Sequence, residues 1–97
     1  MENQLYNNIT TIHNIYKNTM NPRLSRISLL YFDSYELFSY VLNNNLDYMN
    51  GCLRNLKQIL CELNISTNRF FNCRNIKESF DGSILYSNLI IEKLKNY

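Results

Sequence analysis

Residues 46–63 read LDYMNGCLRNLKQILCEL. Leu46, Met49, Leu53, Leu56, Leu60 and Leu63 step by three, four, three, four and three. That spacing holds them on one face of a helix and matches the a and d positions of a heptad. Cys52 and Ile59 widen the stripe on one side, while Arg54 and Lys57 fall off it. Gly51 lies inside the segment, where glycine costs about 1 kcal/mol relative to alanine. Close approach of a neighbouring helix explains it most simply, with a kink as the alternative. The leucine face must be covered, either by the rest of this chain or by a second copy zipped along the 46–63 seam.

Upstream, Asn43-Asn44-Asn45 places three poor helix formers together, which suits a helix end and a short turn. Before it, the spacing predicts a helix from about Asn21 to Asn43, with Asn21 as N-cap and Pro22 at the first helical position. Leu24, Ile27, Tyr31, Tyr35, Phe38 and Leu42 form its apolar stripe, widened by Leu30, Leu37 and Val41. The aromatic run within it has β propensity, but the segment is too long for a typical strand. A first helix carries Leu5, Ile9, Ile12, Tyr16 and Met20 on one face and ends before Pro22.

Downstream, NISTNRFFNCRN at 64–75 reads as a loop. Its Phe70 and Phe71 rings need cover, so the loop is expected to lie over the bundle. Asp81-Gly82-Ser83 is a turn signal. It predicts one short turn of helix over 75–80 and a final helix starting at Ser83, with Ile84, Leu85, Asn88, Ile91 and Leu94 or Lys95 on one face. Lys93 and Lys95 suit that helix's C-terminal end. The expectation is a single all-α domain over 1–97, a small bundle of about four helical segments with a packed loop near 64–75.

Composition agrees with this scale. A chain of 97 residues has room for one modest core. Its 45% hydrophobic and 19% charged residues are a globular balance. No apolar run approaches the roughly 20 residues of a membrane span, and the first residues lack the h-region of a signal peptide. The chain contains 17 Asn, 10 Ile and 8 Tyr but no Trp and one Pro. Residue types with AT-rich codons dominate, which points to an AT-rich genome: that of a phage or other virus, a low-GC bacterium or a reduced eukaryotic parasite. Many of the asparagines then read as codon drift on solvated faces.

Cys52, Cys61 and Cys73 are odd in number, and no zinc-ligand spacing accompanies them. They read as reduced thiols packing as small hydrophobes in a cytoplasmic protein. The sequons at Asn8 and Asn64 are expected to stay unmodified. His13 has no orienting carboxylate at a suggestive spacing and reads as a boundary residue. Asp33 with Glu36, and Glu78 with Asp81, share helix faces and read as solvated pairs. Two glycines cannot build a phosphate-binding loop. No catalytic residue, cofactor or metal site is expected, and the reading is non-enzymatic.

The informative cluster is basic and aromatic. Arg54 and Lys57 lie off the leucine stripe, and Arg69, Arg74 and Lys77 gather around Phe70, Phe71 and Cys73. Such a set can stack and neutralise a single-stranded nucleic acid. A net charge of +2 is low for a dedicated phosphate binder. Arginine and aromatic rings also dominate protein interfaces, and thirteen Tyr and Phe (8 + 5) exceed what a small core can bury. At least one exposed aromatic patch is therefore expected. The sequence points to a protein-binding module contacting its partner through Arg54, Lys57, Arg69, Phe70, Phe71, Arg74 and Lys77. It fits an inhibitor or adaptor, encoded by a virus or mobile element and acting on a larger host protein or nucleoprotein complex. The alternatives are a small nucleic-acid-binding regulator and a helical subunit of a cellular assembly.

Overall fold

The structure, a computed structural model, describes residues 2–18 and 32–96. It is all-α. Among the described residues there are four helices and no strand: α1 (Glu2–Asn18), α2 (Ser34–Asn43), α3 (Leu46–Glu62) and α4 (Ile76–Lys95). The longest, α4, packs extensively along both α3 and α1, and the short α2 bridges α1 and α3 on the other side.

The leucine face of α3 is covered within the chain. Met49, Leu53, Leu56, Ile59, Leu60 and Leu63 are all buried, with Cys52 among them, and Leu46 is half-buried. The seam is thus occupied in a single copy. A β-carbon on Gly51 would lie 3.3 Å from Cζ of Tyr40. Close packing by α2, the first of the two expectations, is the reason for that glycine. On α1 the buried residues are Leu5, Ile9 and Ile12, with Tyr16 half-buried. Met20 lies outside the described residues.

The second helix differs from expectation in start and in phase. Asp33 is extended, and its carboxylate accepts the backbone N–H of Tyr35 at 3.0 Å and of Glu36 at 3.2 Å. With an N-cap there, α2 begins at Ser34. The cap expected at Asn21 and Pro22, and the stripe residues Leu24, Ile27, Leu30 and Tyr31, lie outside the described residues. The buried face of α2 is Ser34, Leu37 and Val41, whereas Tyr35 is 79% and Leu42 65% exposed. Aliphatic side chains without a polar tip fill the interior, and tyrosine keeps its hydroxyl in water.

The expected turn at Asp81-Gly82-Ser83 is helix. Asn75 caps α4, accepting from the backbone N–H of Lys77 at 2.9 Å and of Glu78 at 3.4 Å, and the helix runs unbroken to Lys95. Gly82 is there for space. A β-carbon at that position would lie 2.8 Å from Cδ1 of Leu53 and 2.8 Å from Cγ of Phe71. Tertiary packing overrides the local turn propensity. The buried face is correspondingly shifted to Ser79, Phe80, Gly82, Ser83, Tyr86, Ser87, Ile90 and Leu94, while Ile84, Leu85 and Ile91 are half-buried and Asn88 is exposed.

Several asparagines do structural work and are not drift. Asn45 and Asn75 are N-caps. Asn44 and Asn64 take the left-handed conformation at φ 49° and 58°, which asparagine tolerates better than most residues. Asn8 joins α1 to α4, donating to Oγ of Ser87 and to Oδ1 of Asn88, each at 2.9 Å.

All three cysteines are free, but only Cys52 packs as a small hydrophobe; Cys61 and Cys73 are exposed. Burial pushes the Cys52 thiol up to about 12, an effect only partly offset by the Ser83 hydroxyl beside it. The thiolate is disfavoured in the fold relative to the unfolded chain. Stability is therefore full below the ordinary thiol value near 8.5 and declines as pH rises toward about 12. Thiol titration near pH 8 should find two reactive cysteines in the native protein, Cys61 and Cys73. Denaturation without reductant should release the third. Three equally fast native thiols would place Cys52 outside the core.

Candidate functional site

The site is made where the chain leaves α3 and returns to start α4. At the end of α3, Asn64 N–H donates to Cys61 O at 3.1 Å and Ile65 N–H to Leu60 O at 2.9 Å. These paired bonds, with a left-handed Asn64, form a Schellman turn that stops the helix and reverses the chain. The irregular segment then runs back along α3 towards Asn50. Nδ2 of Asn50 donates to the Cys73 carbonyl at 2.6 Å, and Oδ1 of Asn50 accepts the Ser79 hydroxyl. One side chain of α3 thus holds both the returning segment and the first turn of α4.

Phe71 is pinned by these constraints. Its ring meets Tyr86 edge-on, with centroids 5.6 Å apart and planes at 90°, and it fills the space that Gly82 leaves. The Arg69 guanidinium lies 5.4 Å from the Phe71 centroid, within cation–π range. Phe70 is the exception to the expectation that both rings find cover: it is 93% exposed. Of the two neighbouring rings, only Phe71 meets α4.

Between α3 and this segment lies a cleft of about 220 Å³, lined by Leu53, Arg54, Lys57, Arg69, Phe70, Phe71, Cys73 and Tyr86. Leu53 and Tyr86 are buried and Phe71 is half-buried, which makes the floor apolar. Arg54, Lys57, Arg69 and Phe70 are exposed and form the rim. Burial, and to a lesser degree the Cys73 thiol, pushes the pKa of Tyr86 up, so its hydroxyl stays protonated. The cleft presents three cations over an aromatic floor, with no carboxylate among its lining residues.

Comparison with known proteins finds no matching family model, no matching curated protein and no matching solved structure. What the chain does must therefore be argued from the chemistry of its surface.

The structure brings Arg54, Lys57, Arg69, Phe70 and Phe71 into one cleft. Arg74 and Lys77 are exposed nearby but do not line it. Sequence reasoning missed Leu53 and Tyr86, and placed Cys73 amid the basic residues without making it a contact residue. Leu53 was assigned wholly to the core. Tyr86 becomes visible only once residues 81–83 are helical, because a turn there would change its phase relative to Phe80.

A second open groove of about 590 Å³ lies between α1 and α2, lined by Tyr6, Tyr35, Phe38, Ser39, Leu42 and Asn43. Tyr6 stacks on Phe38 with centroids 4.4 Å apart. This is an exposed aromatic patch of the kind the composition implies, although three of its residues, Tyr35, Phe38 and Leu42, belong to the stripe expected to face inward. His13 is half-buried, and its Nδ1 lies 3.0 Å from Oγ of buried Ser34, joining α1 to α2. Of the acidic pairs, Asp33 is a helix cap and Glu36 accepts the Tyr40 hydroxyl. Among the described residues no cluster of His, Cys, Asp and Glu is arranged to hold a metal, and no helix is long and apolar enough to cross a membrane.

Proposed function

We propose that this chain is a small non-enzymatic protein-binding module whose binding face is the cleft between α3 and residues 65–73. The observation that carries the reading is Phe70, 93% exposed at the rim of a cleft that also presents Arg54, Lys57 and Arg69. An exposed phenylalanine and arginines over an apolar cleft have the aromatic and arginine content that is enriched at protein interfaces. The abundance of residue types with AT-rich codons, together with the small size, fits an inhibitor or adaptor encoded by a virus or mobile element. Such a protein would act in the host cytoplasm on a larger host protein or nucleoprotein complex.

The rival reading is nucleic acid, since bases stack on rings and phosphates pair with arginines. The net charge of +2 argues against it, because phosphate-driven binding scales with the number of neutralised phosphates. Labelled single- and double-stranded DNA and RNA, titrated at about 0.15 M salt, should show no saturable sub-micromolar binding. Such binding to any of them would replace the protein-partner reading with the rival. Phe70→Ala should leave stability within about 0.5 kcal/mol of the parent, as expected for an exposed side chain without structural contacts. A larger loss in urea denaturation would mean that Phe70 is a structural residue and not a contact residue.

A further inference from the structure

The cleft has a polarity and a size that narrow what it can bind. Its rim is formed by Arg54, Lys57 and Arg69, and no carboxylate lines it. Among the described residues, none of these three cations is paired with an acidic side chain. The chain is otherwise close to neutral, with eight acidic residues against ten basic ones. Three unneutralised cations in one place are therefore a local feature and not a reflection of overall charge. The floor of Leu53, Phe71 and Tyr86 is apolar, and Tyr86 carries a protonated hydroxyl.

The volume, about 220 Å³, is below the roughly 300–1,000 Å³ of pockets that enclose whole small molecules. It suits one large apolar side chain entering from outside, with the remainder of its chain held across the rim. Charge complementarity then requires that remainder to be acidic. An extended nucleic acid would need further cations along its track. Arg74 and Lys77, the nearest in sequence, do not line the cleft.

We infer that the cleft binds an acidic peptide segment of the partner, one aromatic side chain anchored against Phe71 and Tyr86 and flanking carboxylates paired with Arg54, Lys57 and Arg69. This rests on the protein-binding reading and sharpens it. Arg69 contributes twice, since its guanidinium already lies over the Phe71 ring and is positioned to fork a carboxylate from there. Cys73 lies in the same cleft, and its exposed thiol reports occupancy.

The test uses the intact protein and three labelled peptides: aspartate- and glutamate-rich with one central phenylalanine, its asparagine and glutamine counterpart, and the acidic peptide with alanine at the centre. The acidic phenylalanine peptide should bind saturably, at least about tenfold more tightly than either control, and weaken as salt rises. It should slow alkylation of Cys73 but not of Cys61. Arg54→Glu, at an exposed position, should reduce binding about tenfold or more, and so should Arg69→Glu, which also gives up the contact with the Phe71 ring; urea midpoints near that of the parent show that the variants are folded. Equal binding of the neutral peptide with Cys73 protected would overturn the acidic specificity and leave the protein-binding reading intact. No saturable binding of the acidic peptide up to millimolar concentration would also overturn it. Saturable binding of a single-stranded oligonucleotide that protects Cys73 more strongly than the peptide would overturn both readings.

Discussion

Leu56→Ala is expected to lower stability by about 2–5 kcal/mol, the cost of removing a buried leucine side chain and leaving a cavity. Leu56 is fully buried at the centre of the α3 face, between Leu53 and Leu60. In a domain of this size each kcal/mol moves Tm by roughly 4–8 °C, so the fall should be about 10 °C or more. The same measurement separates the two ways of covering the seam. With α1, α2 and α4 packed in one copy, Tm should not vary with protein concentration. A seam shared between two copies would make Tm rise with concentration. A Leu56→Ala protein that melts with the parent would remove the seam from the core.

Gly82→Ala is expected to destabilise, against the ordinary sign of that substitution. In an exposed helix interior, alanine in place of glycine gains about 1 kcal/mol. Here the new methyl would lie 2.8 Å from both Cδ1 of Leu53 and Cγ of Phe71. The leucine end can swing aside, but the phenylalanine is met at the root of its ring. Overpacking of this kind costs about 1–3 kcal/mol, so a net loss of about 1 kcal/mol or more should appear in the urea midpoint. In a Phe71→Ala background the loss should shrink or reverse, since the ring that obstructs the methyl is gone. A stabilised Gly82→Ala protein would show that Phe71 does not sit on α4.

These two positions mark where the sequence was legible and where it was not. Around Leu56 a single physical rule operates: a helix buries one face, and the a/d spacing at 46–63 states which. The fold class, α1, α3 and the loop after Leu63 followed from such spacing. At Gly82 two rules compete. Asp-Gly-Ser has the chemistry of a turn, yet the same small residue admits a neighbouring ring into a helix. Only knowledge of what lies opposite decides between them. The caps carried information that the periodicity obscured. Asp33 and Asn75 each stand three residues before a glutamate, the pattern of a helix start, and both are N-caps. Reading Asp33 that way starts α2 at Ser34; which face of α2 is buried is a separate matter that the cap does not decide. For the cleft, charge and aromatic content singled out the right stretch of chain, Cys73 included, but not Leu53 and Tyr86, which arrive from α3 and α4.

An unbroken α4 that accepts Phe71 against Gly82 orients the returning segment and so builds the cleft. Solution NMR of the isotope-labelled chain tests it directly. Helical Cα shifts should continue through Asp81, Gly82 and Ser83 without interruption. The Phe71 ring protons should show cross-peaks to the Gly82 α-protons and to the Tyr86 ring. Turn-like shifts at residues 81–83, with no contact between Phe71 and either residue, would contradict the fold at this point and dissolve the cleft with it.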